Sequence, residues 1–447
     1  MKSWATLVAG LLLFGAAQTV AAEDKPAKWQ VIHAGVLLND PGRPPLSEQS
    51  VIIRNNIIQE VRAGYLDPKA IDANAEVIDL RNRFVLPGLI DAHVHLGGQP
   101  GGIDGNPARM SLIERSEVSQ SEAAITLTSW IYAKRTLEAG FTTLRDVGEP
   151  TKASAALTAL RDAIDAGHIP GPRLIIARNA ISVTGGHADI VGYSEEVHEG
   201  LIHRGICDGA DACRKAVRDQ VARGATAIKI MASGGGGTPM GRPDSEPEMT
   251  SEEMVAAVET AHALGMKVAA HAHGDKAVLA AVKAGVDSIE HAAYGSRETF
   301  KEMAKRQVYL VPTMAVRARR LQMAAMQPEE ARKKTEADVA IILENFKTAL
   351  KVGVPIAFGT DAGVVPHGSN GVEFAWYVKL GMSPMEAIRT STHNAAVLLG
   401  VDDKVGVIDA GKLADIIAVD RSPLQDITAL EAPSFIMKDG MIYKNMR

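Results

Sequence analysis

Apolar and polar residues alternate in two regions of the chain, one near each end. Residues 28–88 hold short segments in which about every second position is apolar, and Gly, Asn and Pro interrupt them. The segments after residue 403 have the same pattern. A period of two residues is typical of β-strands that bury one face. We therefore predict that residues 28–88 and 403–447 join into one small β-sandwich domain.

Between these flanks, residues 89–402 contain short apolar segments that alternate with longer segments of helical pattern. The longer segments carry apolar residues at positions i, i+3 and i+4 and often end in glycine, as amphipathic helices do. Such alternation favours a parallel sheet in an α/β fold. Eight such units predict a (β/α)8 TIM barrel, although an open doubly wound sheet has the same local pattern. The expected strands are 84–96, 142–147, 173–183, 227–233, 267–272, 288–293, 308–314 and 355–362.

The N-terminus has the pattern of an export signal. A basic residue, Lys2, precedes a run of about a dozen apolar residues, and small residues, Val20 and Ala22 among them, precede Glu23. This is typical of a secretory signal peptide, because the apolar run is short for a membrane anchor, which is the alternative. We predict that residues 1–22 are a signal peptide. The mature protein is then expected to be periplasmic, without a stable membrane anchor.

Charge and composition narrow the range of partners. The 447 residues carry a net charge of −5, and aromatic residues make up 4% of them. A chain without a basic excess and with few aromatic side chains lacks the usual surface for nucleic acid or for an anionic membrane. We therefore expect no nucleic-acid partner.

The chain has two cysteines, Cys207 and Cys213, which lie close together. After export they would meet an oxidising compartment, where they would either form a disulfide or remain free thiols. A zinc site built on them would need further ligands nearby, and the surrounding sequence has none.

Side chains able to bind metals stand where five of the predicted strands end. Active sites of TIM barrels lie at the C-terminal ends of the strands, so these side chains would meet at one rim. A single histidine on a strand is usually a hydrogen-bonded core residue, and the indication therefore comes from the whole set. The set consists of His93 and His95 on the first strand, Lys229 on the fourth, His271 and His273 on the fifth, His291 on the sixth and Asp361 on the eighth.

Lys229 lies inside an apolar segment, although lysine is rarely buried unless it is paired. An ionised buried amine costs several kcal/mol of desolvation, whereas burial and nearby metal ions favour the free amine. A free amine can react with carbon dioxide to form a carbamate, an anionic group with two ligand oxygens. We therefore predict that carboxylated Lys229 bridges two divalent metal ions. Imidazole and carboxylate donors favour Zn²⁺ and also suit Mn²⁺, Co²⁺ or Ni²⁺.

Six motifs resemble those of the amidohydrolase superfamily and together span nearly all of the predicted mature chain. They are VLPGLIDAHVHLGG, IKIMASGG, VAAHAHG, SIEHAAYG, FGTDAG and GKLADIIAVD. Two further segments, TGGHAD and CDGADACRKAVRDQVARGATAIKIMASGG, resemble one branch of that superfamily. This branch contains the dipeptidases for Xaa-Pro, Xaa-Arg and Xaa-Lys and the enzymes that hydrolyse the amide of ochratoxin A.

The resemblance implies two metal sites that share one ligand. The implied ligands are His93, His95 and Asp361 for the more buried ion, His271 and His291 for the second ion, and carboxylated Lys229 as the bridge. The resemblance also implies a homo-oligomer and a small-molecule substrate.

Catalytic and substrate-binding roles follow from the same resemblance. Asp361 would take a proton from a bridging hydroxide and pass it to the leaving amine, and His187 in TGGHAD would polarise the substrate carbonyl. His273 and Tyr294 would contact the substrate. Residues 319–351 form a long charged helical segment after the seventh strand, and this segment could cover the site.

The expected reaction is hydrolysis, by the metal-bridging hydroxide, of the amide bond to a C-terminal amino acid. The substrates would be dipeptides or N-acyl amino acids, with ochratoxin A-type amides among the candidates. Cyclic-amide hydrolases of the imidazolonepropionase type are an alternative, but they generally use one metal and lack a lysine like Lys229. Lactonases and phosphotriesterases use the same metal pair. A non-catalytic scaffold and a solute-binding module are alternatives from other classes. The intact ligand set argues against the scaffold, and a solute-binding module would have two open α/β lobes rather than eight units that close on one rim.

Overall fold

The computed structural model describes residues 27–100, 102, 119–189, 194, 203–235 and 246–446. The predicted signal peptide, residues 1–22, lies outside the described residues. Within the described part of the chain, no helix combines the length and the apolar character needed to cross a bilayer.

Both ends of the chain contribute strands to one seven-stranded sheet, with the order β14-β13-β12-β4-β1-β2-β3. β1 and β4 pair in parallel, and the other neighbours pair antiparallel. The two flanks therefore meet in one sheet, whereas its stacking into a sandwich remains a prediction. The strands are β1 Trp29–Leu37, β2 Leu46–Arg54, β3 Ile57–Ala63, β4 Glu76–Pro87, β12 Ile416–Val419, β13 Phe435–Lys438 and β14 Met441–Asn445.

Seven further strands form two sheets in which every pairing is parallel. The first sheet has the order β5-β6-β7 and the second has the order β11-β10-β9-β8. Their bounds are β5 Leu89–Val94, β6 Phe141–Asp146, β7 Arg173–Ile176, β8 Ile228–Met231, β9 Val268–Gly274, β10 Ser288–Tyr294 and β11 Tyr309–Val311.

Helices separate these strands and follow them, as the apolar periodicity predicts. α4 starts at a capping box, in which the Thr250 hydroxyl accepts from the Glu253 amide and the Glu253 carboxylate accepts from the Thr250 amide. Gly353, with φ of 84°, ends α8 in the left-handed conformation that glycine favours. The described helices are α1 Glu122–Glu138, α2 Thr151–Asp165, α3 Ala210–Ala222, α4 Ser251–Ala263, α5 Asp275–Ala284, α6 Arg297–Arg306, α7 Met314–Ala324, α8 Glu329–Val352, α9 Val372–Lys379, α10 Pro384–Arg389 and α11 Ala395–Leu399.

The predicted strand 84–96 is divided between two sheets. β4 ends at Pro87 in the seven-stranded sheet, and β5 begins at Leu89 in a parallel sheet. Gly88 lies between them against β6, where a Cβ atom would be 2.4 Å from the Thr142 hydroxyl oxygen. The chain can therefore cross between the sheets only where no side chain projects.

The predicted eighth strand, 355–362, does not form a regular strand. It pairs through isolated parallel bridges, Leu310 with Ile356 and Val94 with Ala362. The backbone leaves the extended conformation at Asp361, whose φ is 61°, and this interrupts the pairing. The predicted strand 173–183 is likewise regular only in β7, Arg173–Ile176, before Arg178 adopts a φ of 61°.

Cys207 and Cys213 form a disulfide, with Cα atoms 5.0 Å apart. The sequence left a disulfide and free thiols open as alternatives, and the structure has the first of these.

One arginine connects a parallel sheet to the seven-stranded sheet. Arg173, the first residue of β7, lies 2.9 Å from an oxygen of Asp415 and 2.6 Å from an oxygen of Asp439. Asp415 precedes β12, and Asp439 lies in the turn between β13 and β14. Burial raises the pKa of Asp439, but the charges of Arg173 and Lys438 outweigh it, so this pKa lies below its ordinary value.

We expect Arg173→Met to lower the free energy of unfolding by about 3–5 kcal/mol, because it leaves the buried Asp415 carboxylate without a cation. Denaturant unfolding at neutral pH measures this loss. Arg223→Met removes an exposed ion pair with Asp219 and, as the control, should cost much less, because solvent screens such a pair. Equal losses in both variants would contradict the role of Arg173.

The same ion pairs predict a dependence on pH. Because the folded-state pKa of Asp439 is lowered, its contribution to stability is present above the ordinary carboxyl pKa of about 4 and is lost as the pH falls through the lowered folded-state value. The stability difference between wild type and Asp439→Asn should therefore shrink in acid, and a constant difference from pH 7 to pH 3 would contradict this expectation.

Candidate active site

A first cluster of possible metal ligands joins β5 to the eighth segment. His93 and His95 are two residues apart on β5, so their side chains lie on the same side of the strand. The Nε2 atom of each ring lies 3.6 Å from Oδ1 of Asp361. Among the described residues this buried carboxylate oxygen has no hydrogen-bond partner. Three ligand atoms therefore face one another, as the sequence predicts.

The partners of the two rings fix which nitrogen can bind a metal. Nδ1 of His93 lies 2.6 Å from Oε2 of Glu290, and Nδ1 of His95 lies 2.8 Å from the carbonyl oxygen of Gly148. Both partners are acceptors, so each Nδ1 donates and each Nε2 keeps its lone pair towards Asp361. Burial lowers the pKa of His93 to about 4, and the charge of Lys229 lowers it further, so the ring is neutral.

Glu290, which orients His93, belongs to a buried network that sequence reasoning missed. Its Oε1 lies 2.9 Å from Nη2 of Arg145 on β6 and accepts from the Ser288 hydroxyl at 2.5 Å. Nε of Arg145 donates to the carbonyl oxygen of Ala92 at 2.7 Å. Burial raises the pKa of Glu290, but Arg145 and His93 outweigh it and bring this pKa to about 2. A signal was present, since Glu290 directly precedes a predicted ligand.

A second cluster consists of His271, His273 and His291, whose ligand atoms all lie within 4.8 Å of one another. Nδ1 of His291 lies 2.7 Å from the hydroxyl oxygen of Thr313. Burial and the neighbouring histidines lower the pKa of all three rings well below the ordinary value, so all three are neutral. The sequence predicts His271 and His291 as ligands and His273 as a substrate contact, and the structure brings His273 into the same cluster.

The two clusters adjoin, because the ring centroids of His93 and His291 are 5.0 Å apart. The backbone around them is strained in a way that functional sites often show. His291, Thr313 and Asp361 have φ values of 75°, 52° and 61°, which non-glycine residues rarely adopt. His291 lies within β10, Thr313 follows β11, and Asp361 lies in the eighth segment, so the strained positions come from three neighbouring parts of the parallel strands.

Lys229, on β8, is 1% exposed and forms no salt bridge within the described residues. Burial lowers its pKa to about 8, although the charges of Glu290 and Asp361 oppose this shift. The charge of Lys229 in turn lowers the pKa of His93 and of His291. Burial thus makes the free amine more accessible near neutral pH than it is for an exposed lysine.

The donor set fits divalent metal ions. Neutral imidazoles, a carboxylate with one buried oxygen that lacks a partner, and an amine with a lowered pKa are the groups expected around such ions. His93, His95 and Asp361 could hold one ion, and the second cluster could hold another.

A cavity of about 440 Å³ opens beside the second cluster. The His187 ring stacks on His271 at a centroid distance of 4.5 Å, and burial lowers its pKa to about 4. Gly235 permits this position, because a Cβ atom there would lie 2.6 Å from the ring of His187. Tyr294 also lines the cavity, and its hydroxyl donates to Asp338 at 2.5 Å. The structure thus brings together all the residues for which the sequence predicts a role.

α7 and α8 contribute further side chains to the cavity. Arg317, Arg320 and Ile342 line it. Arg320 and Ile342 belong to the charged helical segment 319–351 that we expected to cover the site, whereas Arg317 precedes that segment. Sequence reasoning did not single out Arg317 or Arg320, because a third arginine, Arg319, lies beside them in the same helix.

Comparisons with known proteins identify the family of the chain. The model of the Amidohydrolase family matches residues 84–447. Ochratoxinase of Aspergillus niger is 31% identical over 449 residues, covering 95% of this chain and 88% of that protein. The crystal structure of a Xaa-Pro dipeptidase with bound methionine in the active site is similar, with a TM-score of 0.81 and 35% identity, covering 94% of this chain and 100% of that one. The crystal structure of A. niger ochratoxinase has a TM-score of 0.79 and 29% identity, covering 94% and 96%.

We expect Thr313→Val to weaken divalent-ion binding at the second cluster about 10- to 100-fold, because it removes the hydroxyl that orients His291. Both residues are β-branched, so the strain at the φ of 52° is similar in the two proteins. Competition with a chromophoric chelator measures the affinity. Thr313→Ser keeps the hydroxyl and should bind nearly as the wild type does, and equal affinities for all three proteins would contradict the role of Thr313.

Proposed function

Because the chain belongs to the amidohydrolase family, as its motifs predict, we propose that it hydrolyses the amide bond to a C-terminal amino acid in dipeptides or N-acyl amino acids. The observation that carries this proposal is the pair of adjoining clusters around the buried Lys229, which open into a cavity of about 440 Å³. The chain is similar over nearly its whole length to an ochratoxinase and a Xaa-Pro dipeptidase. This similarity supports amide substrates of the size of a dipeptide or an N-acyl amino acid. Ochratoxin A-type amides are therefore among the candidates.

We propose that carboxylated Lys229 joins two divalent sites, with zinc as the ion that the donors favour. Two such ions, when bound, supply Lewis acidity and a nucleophilic water. The burial of Lys229 supports this assignment, since its side chain is 1% exposed and forms no salt bridge within the described residues. Conversion to a carbamate would turn this amine into an anionic ligand between the clusters.

The side chains around the cavity then have distinct tasks. Asp361 accepts a proton from the nucleophilic water and returns it to the leaving amine. His187, stacked on His271, donates from its ring to the substrate carbonyl oxygen. Tyr294 and His273 contact the substrate from the cavity wall.

We also propose that the parallel strands close into a barrel. The support is a set of isolated parallel bridges that link the ends of the two parallel sheets and the eighth segment. These bridges pair Ile181 with Ile230, Leu310 with Ile356 and Val94 with Ala362. Export to the periplasm and assembly into a homo-oligomer remain predictions from the sequence.

The proposed reaction is tested by incubating the metal-loaded protein with a panel of dipeptides, N-acyl amino acids, lactones and organophosphates. We expect release of the C-terminal amino acid from members of the first two classes. Asp361→Asn should lower kcat about 1,000-fold or more, because the variant has lost its proton acceptor. Wild-type kcat in this variant would exclude the proton transfer.

The matched control is Asp287→Asn. Asp287 directly precedes β10, at the end of the strand away from the candidate site, and its carboxylate pairs with Lys267. This variant should keep its turnover even if its stability changes. Preference for lactones or organophosphates over every amide would sink the proposed function while leaving the metal site intact.

The carbamate is tested separately by reconstituting the metal-free protein with zinc, with or without ¹³C-labelled bicarbonate. We expect one carbamate carbon resonance in wild type and none in Lys229→Ala, and recovery of activity that depends on bicarbonate. Recovery that is indifferent to bicarbonate, together with no carbamate resonance, would contradict the bridge.

A further inference from the structure

Arg317 carries a buried charge that no described residue neutralises with an ion pair. Its side chain is 5% exposed and lines the cavity beside the second cluster. Among the described residues it forms no ion pair, and its Nε has no hydrogen-bond partner. A buried, unpaired cation costs several kcal/mol, so natural proteins tend to keep such a group where a ligand supplies the counter-charge.

The neighbouring arginine, Arg320, differs in this respect. Its Nη2 lies 2.8 Å from Oδ2 of Asp338, and Oδ1 of the same carboxylate accepts the Tyr294 hydroxyl at 2.5 Å. Both oxygens of Asp338 are therefore engaged, and neither of them bonds Arg317. Within the described residues, Arg320 therefore has a carboxylate partner at the cavity and Arg317 has none.

The other nearby carboxylates among the described residues do not pair with Arg317 either. Glu373 accepts from the backbone amides of Met314 and Ala315 at 2.7 and 2.5 Å, at the first turn of α7. Asp361 lines the same cavity but faces His93 and His95. Since no described carboxylate pairs with Arg317, an anionic molecule in the cavity would supply its counter-charge.

The position of Arg317 is fixed relative to the reactive centre. Thr313 bonds His291, and the next two residues are held by Glu373, so α7 starts at a defined place. Arg317 follows within about one helical turn of Thr313. A guanidinium group set this close to a hydrolytic centre can hold a carboxylate a short distance from the scissile carbonyl.

Resting on the proposed function, we propose that Arg317 is the carboxylate receptor of the cavity and makes the protein selective for anionic amides. The carboxylate is either the α-carboxylate of the leaving amino acid or the side-chain carboxylate of Asp or Glu. Both have the same chemistry towards a guanidinium group, and substrate pairs distinguish them.

The test compares wild type, Arg317→Met and Arg317→Lys on two matched pairs of dipeptides. Leu-Ala and its C-terminal amide differ in the α-carboxylate, and Leu-Glu and Leu-Gln differ in the side chain. We expect wild type to prefer the charged member of one pair about 100-fold in kcat/KM. The preference should fall towards 1 in Arg317→Met and remain partly in Arg317→Lys.

Arg319→Met is the control, because Arg319 lies on the same helix but does not line the cavity. It should keep the wild-type preference, and all variants are first checked for an unchanged melting temperature. An equal preference in wild type and Arg317→Met for both pairs would overturn the proposal.

A binding measurement separates this proposal from the proposed function. Calorimetry with succinate and with uncharged succinamide needs no turnover. We expect wild type and Arg319→Met to bind succinate at least about 10-fold more tightly than Arg317→Met does, with no such difference for succinamide. If no dipeptide is cleaved but this difference holds, the substrate assignment fails and the receptor stands. Equal succinate binding in the three proteins overturns the receptor.

Discussion

The carboxylate of Glu290 is the buried charge on which the reactive centre depends. A carboxylate inside parallel strands would be strongly destabilising if it were unpaired. Here Arg145, Ser288 and His93 share it, and these groups come from three different strands. The same contact fixes the tautomer of His93. The interaction that holds the strands together therefore also orients the first candidate metal ligand.

The charges of this network also affect the pKa of Lys229. Glu290 raises its pKa, but Arg145 and above all burial lower it, and the net shift is downward. Burial therefore makes a second cation beside Glu290 and Arg145 less favourable than it would be in water. The proposed carbamate would reverse the sign of this charge and bring an anion towards two clusters of neutral imidazoles. In that proposal the charge balance accounts for a lysine at this position.

The candidate ligands were predictable from the sequence because they stand at the ends of strands in short motifs, and strand ends of this fold converge. What the sequence could not give is the set of partners that come from distant segments. Thr313 and Arg145 look like ordinary residues of a loop and a strand, and only the folded chain brings them to His291 and Glu290. The prediction of a regular eighth strand was wrong for a related reason. Asp361 adopts a φ of 61°, and no local sequence pattern indicates this departure from the extended conformation.

α7 links the chemistry of the site to its selectivity. Its first residues are held between a ligand contact and the buried Glu373, whereas the side chains one turn later face the cavity. A substitution at Arg317 therefore changes the charge of the cavity without removing a contact to any candidate metal ligand. A substitution at Thr313 removes a contact to the candidate ligand His291 and leaves the charge of the cavity unchanged. If Arg317 selects the substrate as proposed, selectivity could change without a change in the candidate ligands, because Arg317 and the His291 partner Thr313 make different contacts at the start of α7.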